Sequence, residues 1–271
     1  MYLSDIHTHS QISFDSEAPL RDMAEAAIAA GLHELCVTDH CDLLDADGNL
    51  DEHFDWMGAK AQYREVLPHV AGRLTLRLGI ELGSIVYRPD IARRILTEGG
   101  EDVDFVLGSV HNWIGVRNNR DLYYTDYTNN PALCREAMAN ALDSSLRMVR
   151  EYGDCFDSLA HIIYPPRYMR RDGQELSLTL YEEEIRQIFA KIAATDHALE
   201  VNTWRGVDVS GWQFLLRWYR ECGGKYVTLG SDAHAPGDVA KGIREVIPLL
   251  QAAGFDRVTT YEKRQPTLHK L

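Results

Sequence analysis

Residues 2–38 read YLSDIHTHSQISFDSEAPLRDMAEAAIAAGLHELCVT, and this stretch decides the fold. The short apolar run Tyr2–His7 predicts a buried strand, and Glu34–Thr38 predicts a second one. Between them, the Ala-rich stretch Ala18–Ala30 predicts a helix that stops at Gly31. Two short strands joined by a helix form a crossover unit, in which the strands run parallel.

The same alternation of apolar runs and helical patterns continues along the rest of the chain. Further strands are predicted at Leu74–Leu82, Phe105–Val110, Ser158–His161, Leu199–Asn202 and Tyr226–Gly230. Further helices are predicted at Trp56–Val70, Pro89–Leu96, Pro131–Tyr152, Leu178–Ala194, Gly211–Cys222 and Val239–Ala253. Seven strand–helix units predict an α/β fold whose parallel sheet is closed or nearly closed into a barrel, with a doubly wound open sheet as the alternative.

The 271 residues contain no low-complexity linker or internal repeat, so residues 1–271 are predicted to form a single domain. The five cysteines form no C-x-x-C pair, which is typical of reduced thiols in a reducing compartment. The first residues lack a basic segment followed by a long apolar one, and no apolar stretch approaches membrane-spanning length. We therefore expect a cytoplasmic protein without a membrane partner.

The charge balance is acidic, with 28 Lys and Arg residues against 41 Asp and Glu residues and a net charge of −13. Such a surface argues against a general nucleic-acid binder, because nucleic-acid binding requires basic surface. It leaves room for a small local site that is positive.

Histidines and carboxylates cluster at the predicted strand ends. Six of the eleven histidines end a predicted strand or closely follow one: His7, His9, His40, His111, His161 and His234. Asp5 lies on the first strand, Glu81 ends the third, and Asp232 follows the last. Alternation along a strand predicts that Asp5 points the same way as His7 and His9.

Imidazoles and carboxylates at one end of a barrel predict a site for divalent metals such as Zn²⁺, Mn²⁺ or Fe²⁺. The set has too many ligands for one ion, so two or three ions are expected, with a carboxylate bridging them. Asp5 and Asp39 are candidate hydrogen-bond partners for ligand histidines, and a structural role for Asp39 is an equal alternative.

The sequence resembles the polymerase-and-histidinol-phosphatase (PHP) superfamily over nearly its whole length. The resemblance rests on the segments Asp5–His9, Thr38–His40, Gly79–Glu81, Gly108–His111, Ala160–His161 and Gly230–His234. Within the superfamily, the stand-alone length and the segment Ser10–Ser16 are similar to the histidinol-phosphatase branch.

The resemblance implies a distorted (β/α)7 barrel with a trinuclear metal site. By position, the first metal would be held by His7, His9, Glu81 and Asp232. Glu81 would bridge to a second metal, which His111 and His161 would complete. The third metal would be held by Asp15, His40 and His234, and some relatives have His in place of Asp15. The motif His-x-Asp of many relatives reads His161-Ile162-Ile163 in this chain.

Two or three metals suit hydrolysis of a small phosphate ester, because they activate a bridging water as hydroxide and neutralise phosphate charge. Arg167 and Arg205 follow the fifth and sixth strands, resemble arginines that grip phosphate in this branch, and are candidate catalytic and substrate-binding residues. A surface role for either arginine is the alternative. Asn202 is predicted to face the site. The acid that protonates the leaving group is unassigned, with Asp232 and His234 as candidates.

Residues 112–130 form a long loop after His111 and contain Trp113 and Arg120. We interpret this loop as a lid or pocket wall that binds the substrate beyond its phosphate. A plain surface loop or an oligomer contact is an equal alternative, and the oligomeric state is open.

The residues predict phosphate-ester hydrolysis, and the resemblance implies that the ester is L-histidinol phosphate, which would be hydrolysed to L-histidinol and phosphate in histidine biosynthesis. One alternative is a PHP phosphoesterase that acts on a nucleotide, a cyclic phosphodiester or a sugar phosphate. Another is a non-catalytic metal-binding module or polymerase accessory, which the full set of ligands disfavours.

Overall fold

Eight strands form the main sheet of the computed structural model, which describes residues 1–271. They are β1 (Ser4–Thr8), β2 (Glu34–Val37), β3 (His40–Asp42), β4 (Thr75–Gly83), β5 (Phe105–Ser109), β6 (Ser158–Leu159), β7 (Ala198–Asn202) and β8 (Val227–Gly230). Seven run side by side in the order β1-β2-β4-β5-β6-β7-β8, and every pair is parallel. The short strand β3 pairs in parallel with the last three residues of β4. It was not predicted, because three residues carry no clear periodicity.

The sheet is nearly closed into a barrel. Just beyond β8, the backbone N–H of Asp232 donates to His7 O over 3.0 Å, and the N–H of His9 donates to Ala233 O over 2.8 Å. These bonds join the last strand to the first one at their carboxyl ends. The predicted α/β barrel is therefore confirmed over the open sheet.

Eight α-helices follow the strands, singly except that none separates β2 from β3 and two lie between β6 and β7. They are α1 (Leu20–Ala29), α2 (Trp56–Val70), α3 (Pro89–Gly99), α4 (Pro131–Glu151), α5 (Tyr164–Arg171), α6 (Glu182–Ala194), α7 (Trp212–Glu221) and α8 (Ile243–Ala252). The sequence did not predict α5, because its Pro165-Pro166 pair is typical of a loop. Both prolines lie in the first turn of the helix, where a missing backbone N–H breaks no helical hydrogen bond.

A C-terminal hairpin, β9 (Arg257–Glu262) and β10 (Gln265–Lys270), was also missed. Thr259 Oγ1 accepts a hydrogen bond from the N–H of Val227, the first residue of β8, over 3.2 Å. The ring of Tyr261 stacks on Phe105, the first residue of β5, with centroids 5.0 Å apart. The hairpin thus packs against the amino ends of the strands and leaves the carboxyl ends open. No helix of the structure combines the length and apolarity that crossing a bilayer requires.

Candidate metal centre and its pocket

The carboxyl ends of the strands bring all nine predicted metal ligands into one cluster. The cluster consists of His7, His9, Asp15, His40, Glu81, His111, His161, Asp232 and His234. Glu81 is completely buried at its centre, on β4. Each ligand comes from β1, β3 or β4 or from a segment that follows a strand, so the barrel itself positions the cluster.

A first group of donor atoms converges around His7 and His9. His7 Nε2 lies 3.1 Å from His9 Nε2 and 3.2 Å from Glu81 Oε2. Asp232 Oδ1 lies 3.5 Å from His9 Nε2 and 3.7 Å from His7 Nε2. Two imidazole nitrogens and two carboxylate oxygens therefore face one small volume.

A second group uses the other oxygen of Glu81. Glu81 Oε1 lies 2.7 Å from His161 Nε2 and 3.1 Å from His111 Nε2. The two histidine nitrogens are 3.3 Å apart. Glu81 therefore faces both groups at once, one through each carboxylate oxygen.

A third group lies at the mouth of the cluster. Asp15 Oδ2 lies 3.0 Å from His234 Nε2 and 3.6 Å from His40 Nε2. The side chain of Asp15 is 39% exposed, whereas Glu81 is fully buried. This group is the one most open to solvent.

The donor atoms fit divalent metals. Zinc binds nitrogen and oxygen ligands at about 2.0–2.2 Å, which puts tetrahedral ligands about 3.3 Å apart, close to the separations in the first two groups. His7 Nε2 and His9 Nε2 are too close for both to carry protons. His40 Nδ1 is buried without a hydrogen-bond partner, although it lies 3.0 Å from Glu81 Oε2. An ion shared by His7 and His9 would remove the conflict between their Nε2 atoms.

Metal binding requires ionised carboxylates and neutral imidazoles. Although burial opposes it, the surrounding carboxylates raise the pKa of His7, His40 and His111 well above the usual value, so a bound ion would have to displace protons from these three histidines. Although burial opposes it, His7, His111 and His40 hold the pKa of Glu81 well below its usual range. Burial, together with the charges of His234 and His40, lowers the pKa of His9 well below its usual value. Glu81 is thus held as a carboxylate and His9 as a neutral imidazole.

A cavity of about 340 Å³ opens above the cluster. Aromatic side chains form much of its wall: Phe14, Tyr123, Tyr124, Tyr164, Tyr168 and Trp204. Arg205 is the one Lys or Arg side chain that lines it, and it makes no ion pair. Asp121 supplies an acidic group, whose pKa burial raises to about 6. The cavity therefore places one cationic side chain, one carboxyl group and several aromatic rings beside the cluster.

Residues 5–204 of the sequence match the family model of the PHP domain. The chain belongs to the PHP domain family. A histidinol-phosphatase of Lactococcus lactis is 28% identical over 95% of this chain and 93% of its own length. A probable histidinol-phosphatase of Thermotoga maritima is 24% identical over 97% of this chain and 98% of its own length.

The PHP fold is also seen in a solved structure. The crystal structure of histidinol phosphate phosphatase from Lactococcus lactis matches with a TM-score of 0.83 and 24% identity, over 98% of both chains. That crystal structure holds zinc, L-histidinol and phosphate. The match confirms the predicted fold.

Arg167 lies elsewhere in this PHP barrel than the sequence indicated. It is on helix α5 rather than on a loop, is 1% exposed and does not line the cavity. Its guanidinium donates to Asp208, Asp232 and Asn202. Asn202 is buried as well, with Nδ2 3.1 Å from Glu200 Oε1 and 3.3 Å from Asp232 Oδ2. Arg167 and Asn202 therefore both contact Asp232 Oδ2, the oxygen that faces away from His7 and His9.

Only part of the segment 112–130 lines the cavity. Asp121, Tyr123 and Tyr124 line the cavity, as expected for a pocket wall. Trp113 and Arg120 do not line it. Trp113 is buried and donates from Nε1 to Thr125 Oγ1 over 2.9 Å, so it packs beneath the segment. Arg120 is exposed and lies against the ring of Tyr124.

Two carboxylates missed by the sequence analysis contact ligand histidines. Asp42 Oδ1 lies 2.7 Å from His111 Nδ1, and Glu200 Oε1 lies 2.6 Å from His7 Nδ1. Glu200 had a signal in the sequence, because it is a charged residue within the apolar strand β7. Asp42 had none, since β3 was not predicted.

The expected partners Asp5 and Asp39 have other contacts. Asp5 accepts from the backbone N–H groups of Ser231 and Ala240. The predicted common direction of Asp5, His7 and His9 is wrong, because the pairing of β1 with β2 shifts register between Asp5 and Thr8. Asp39 accepts from Ser10 and Ser13 and thereby holds the loop after β1, which is the structural alternative.

Proposed function

We propose that this chain hydrolyses L-histidinol phosphate to L-histidinol and phosphate. The observation that carries the proposal is the cavity, in which one free arginine, Arg205, and the partly buried carboxyl of Asp121 flank a cluster of metal-ligand side chains. A phosphate monoester with a cationic organic part has the complementary charges. The names of the relatives from Lactococcus lactis and Thermotoga maritima support this substrate.

The cluster is proposed to hold two or three divalent ions of zinc, manganese or iron, with the ligand groups described above. The zinc in the Lactococcus lactis structure supports this choice of metals. When bound, such ions activate water and neutralise the charge on phosphoryl oxygens. Within the chain, Glu81 is placed to serve two ions because each of its oxygens faces a different group.

The residues that line the cavity suggest how the substrate would be bound. Arg205 is free to bind the nonbridging phosphate oxygens, because no carboxylate of the chain occupies its guanidinium. Asp121 is placed to bind the ammonium group, and the aromatic wall to pack against the imidazole ring. Asp232 and His234 stay the candidates for the leaving-group acid, and Ile163 offers no carboxylate in the place where many relatives have Asp.

We also propose that residues 1–271 form one domain and act in the cytoplasm. The segment beyond the matched residues supplies β8, Asp232 and His234, and β8 pairs with β7 inside the same sheet. The acidic net charge supports a small substrate over a nucleic acid.

Phosphate release tests the proposal directly. Protein of measured metal content is assayed with L-histidinol phosphate, nucleoside monophosphates, a cyclic dinucleotide and sugar phosphates. The highest kcat/KM is expected for L-histidinol phosphate. If kcat/KM for a nucleotide or sugar phosphate is at least tenfold higher, that ester is the substrate instead. If no ester releases phosphate, the proposed hydrolase is rejected. Removal of metal with EDTA should abolish release, and Zn²⁺ or Mn²⁺ should restore it.

A further inference from the structure

The two carboxylates that contact His111 and His7 share an unusual geometry, because each reaches across an intervening strand. Asp42 is on β3 and its partner His111 follows β5, with β4 between them. Glu200 is on β7 and its partner His7 is on β1, with β8 between them. Adjacent strands lie about 4.8 Å apart, so each contact spans about 9.6 Å of sheet.

Such a reach requires the intervening strand to present no side chain at the crossing point. On β4 the crossing residue is Gly83, which pairs directly with Asp42 on one side and with Ser109 on the other. A methyl group on Gly83 would overlap Asp42 Oδ1 and come within 2.9 Å of Asp42 Cγ. The slot over Gly83 is therefore filled by the carboxylate of Asp42.

The crossing residue on β8 is Gly230, which pairs with Asn202 two residues after Glu200. A methyl group on Gly230 would overlap Glu200 Oε1 and come within 2.5 Å of His7 Cβ. Glu200 uses its second oxygen as well, because Oε2 accepts from the backbone N–H of His161 over 2.7 Å. The same arrangement of glycine, carboxylate and histidine thus occurs twice, on opposite sides of the cluster.

The arrangement has a chemical consequence for the histidines. A histidine that donates from Nδ1 to a carboxylate carries its proton there and presents the lone pair of Nε2. In both cases Nε2 is the atom that faces Glu81, at 3.1 Å for His111 and 3.2 Å for His7. The carboxylates therefore fix both the tautomer and the ring direction that metal binding needs.

We propose that Asp42 and Glu200 are positioning residues for the metal centre, and that Gly83 and Gly230 keep open the slots in which their carboxylates lie. Neither carboxylate is needed as a ligand in this arrangement. The inference rests on the proposed metal binding and does not depend on which ester is hydrolysed.

Gly83→Ala is the sharpest test, because it displaces the carboxylate of Asp42 while keeping its charge and every proposed ligand. The matched control is Gly237→Ala, since Gly237 lies in a turn with no atom within 4 Å of an added methyl group. Both variants are prepared without metal, titrated with Zn²⁺ against a chromophoric chelator, and compared in metal-free thermal unfolding. Asp42→Ala and Asp42→Asn test the same contact without altering the strand.

Gly83→Ala and Asp42→Ala are expected to bind Zn²⁺ about 10- to 100-fold more weakly than the wild type, the usual effect of losing such a hydrogen-bond partner. Asp42→Asn should recover part of this loss, because its amide oxygen can still accept from His111 Nδ1. Gly237→Ala should match the wild type. Excess Zn²⁺ should restore phosphate release in Gly83→Ala.

Wild-type Zn²⁺ affinity in both Gly83→Ala and Asp42→Ala would overturn the inference and leave the proposed hydrolase standing. A wild type that binds no Zn²⁺ would reject the metal centre itself, so the two failures are distinguishable. Should Gly83→Ala lower the metal-free unfolding temperature, the comparison of Asp42→Ala with Asp42→Asn decides the question alone.

Discussion

Arg167 donates from Nη1 to Asp232 Oδ2 over 3.0 Å, which leaves Asp232 Oδ1 directed at the imidazoles of His7 and His9. The guanidinium is buried, and its Nε donates to Asp208 over 3.0 Å. One arginine thus holds one oxygen of Asp232 and leaves the other for a metal.

Arg167→Lys is expected to weaken Zn²⁺ binding by about 10- to 100-fold, because a lysine cannot donate to Asp208, Asp232 and Asn202 in the same planar geometry. Zn²⁺ titration and steady-state kinetics measure the effect. If the arginine binds phosphate, as the sequence predicted, KM rises instead and Zn²⁺ affinity stays at the wild-type value.

Arg205→Ala should raise KM for the phosphate ester by about 10- to 100-fold, the equivalent of a lost hydrogen bond to a charged group, about 1.5–3 kcal/mol. Metal content should not change, because the Arg205 side chain makes no hydrogen bond or ion pair with a proposed ligand. Arg257→Ala is the control, since Arg257 is exposed on β9 near the amino ends of the strands. An unchanged KM in Arg205→Ala would exclude this arginine from phosphate binding.

The activity is expected to fall below about pH 6 in a way that depends on Asp121. Burial raises the pKa of Asp121 to about 6, so the carboxyl is neutral below that pH and negative above it. Substrate ammonium should therefore bind more weakly as the pH falls through 6, and KM should rise.

Asp121→Asn should raise KM at pH 7.5 and remove this part of the pH dependence, which kinetics between pH 5 and 8 would show. Asp126→Asn is the control, because Asp126 is an exposed carboxylate of the same segment. If KM of Asp121→Asn still rises below pH 6 as in the wild type, another group causes that pH dependence.

Trp113→Ala should act on stability rather than on substrate binding. The side chain is buried and lies outside the cavity, so its removal is expected to cost about 3–5 kcal/mol of unfolding free energy. Chemical denaturation measures this loss, and KM of the remaining folded enzyme should stay within twofold of wild type. A large rise in KM with intact stability would support the lid that the sequence predicted.

The residues that could be identified from the sequence are those whose chemistry is unusual for their position. Histidines at the ends of apolar strands and Glu81 inside one are visible because buried strands otherwise contain apolar residues. Since parallel strands all end at the same edge, their place in the sequence also predicted their convergence. The α/β barrel followed from the same alternation of strands and helices.

The direction of each side chain required the tertiary structure. The prolines before Arg167 suggest a loop, but Pro165 and Pro166 lie in the first turn of helix α5. The helix directs the Arg167 side chain inward, where it donates to Asp232. A register shift in β1 separates Asp5 from the cluster, and alternation alone cannot show such a shift.

The sequence by itself determined which side chains gather at the carboxyl ends of the strands, because strand periodicity and chain order are local properties. Only the tertiary structure decided which of them contact one another. The pairing of Asp42 with His111 crosses Gly83, and that of Glu200 with His7 crosses Gly230. Both contacts join side chains that are distant in sequence, and they depend on the register between strands, which is set by packing rather than by any local pattern.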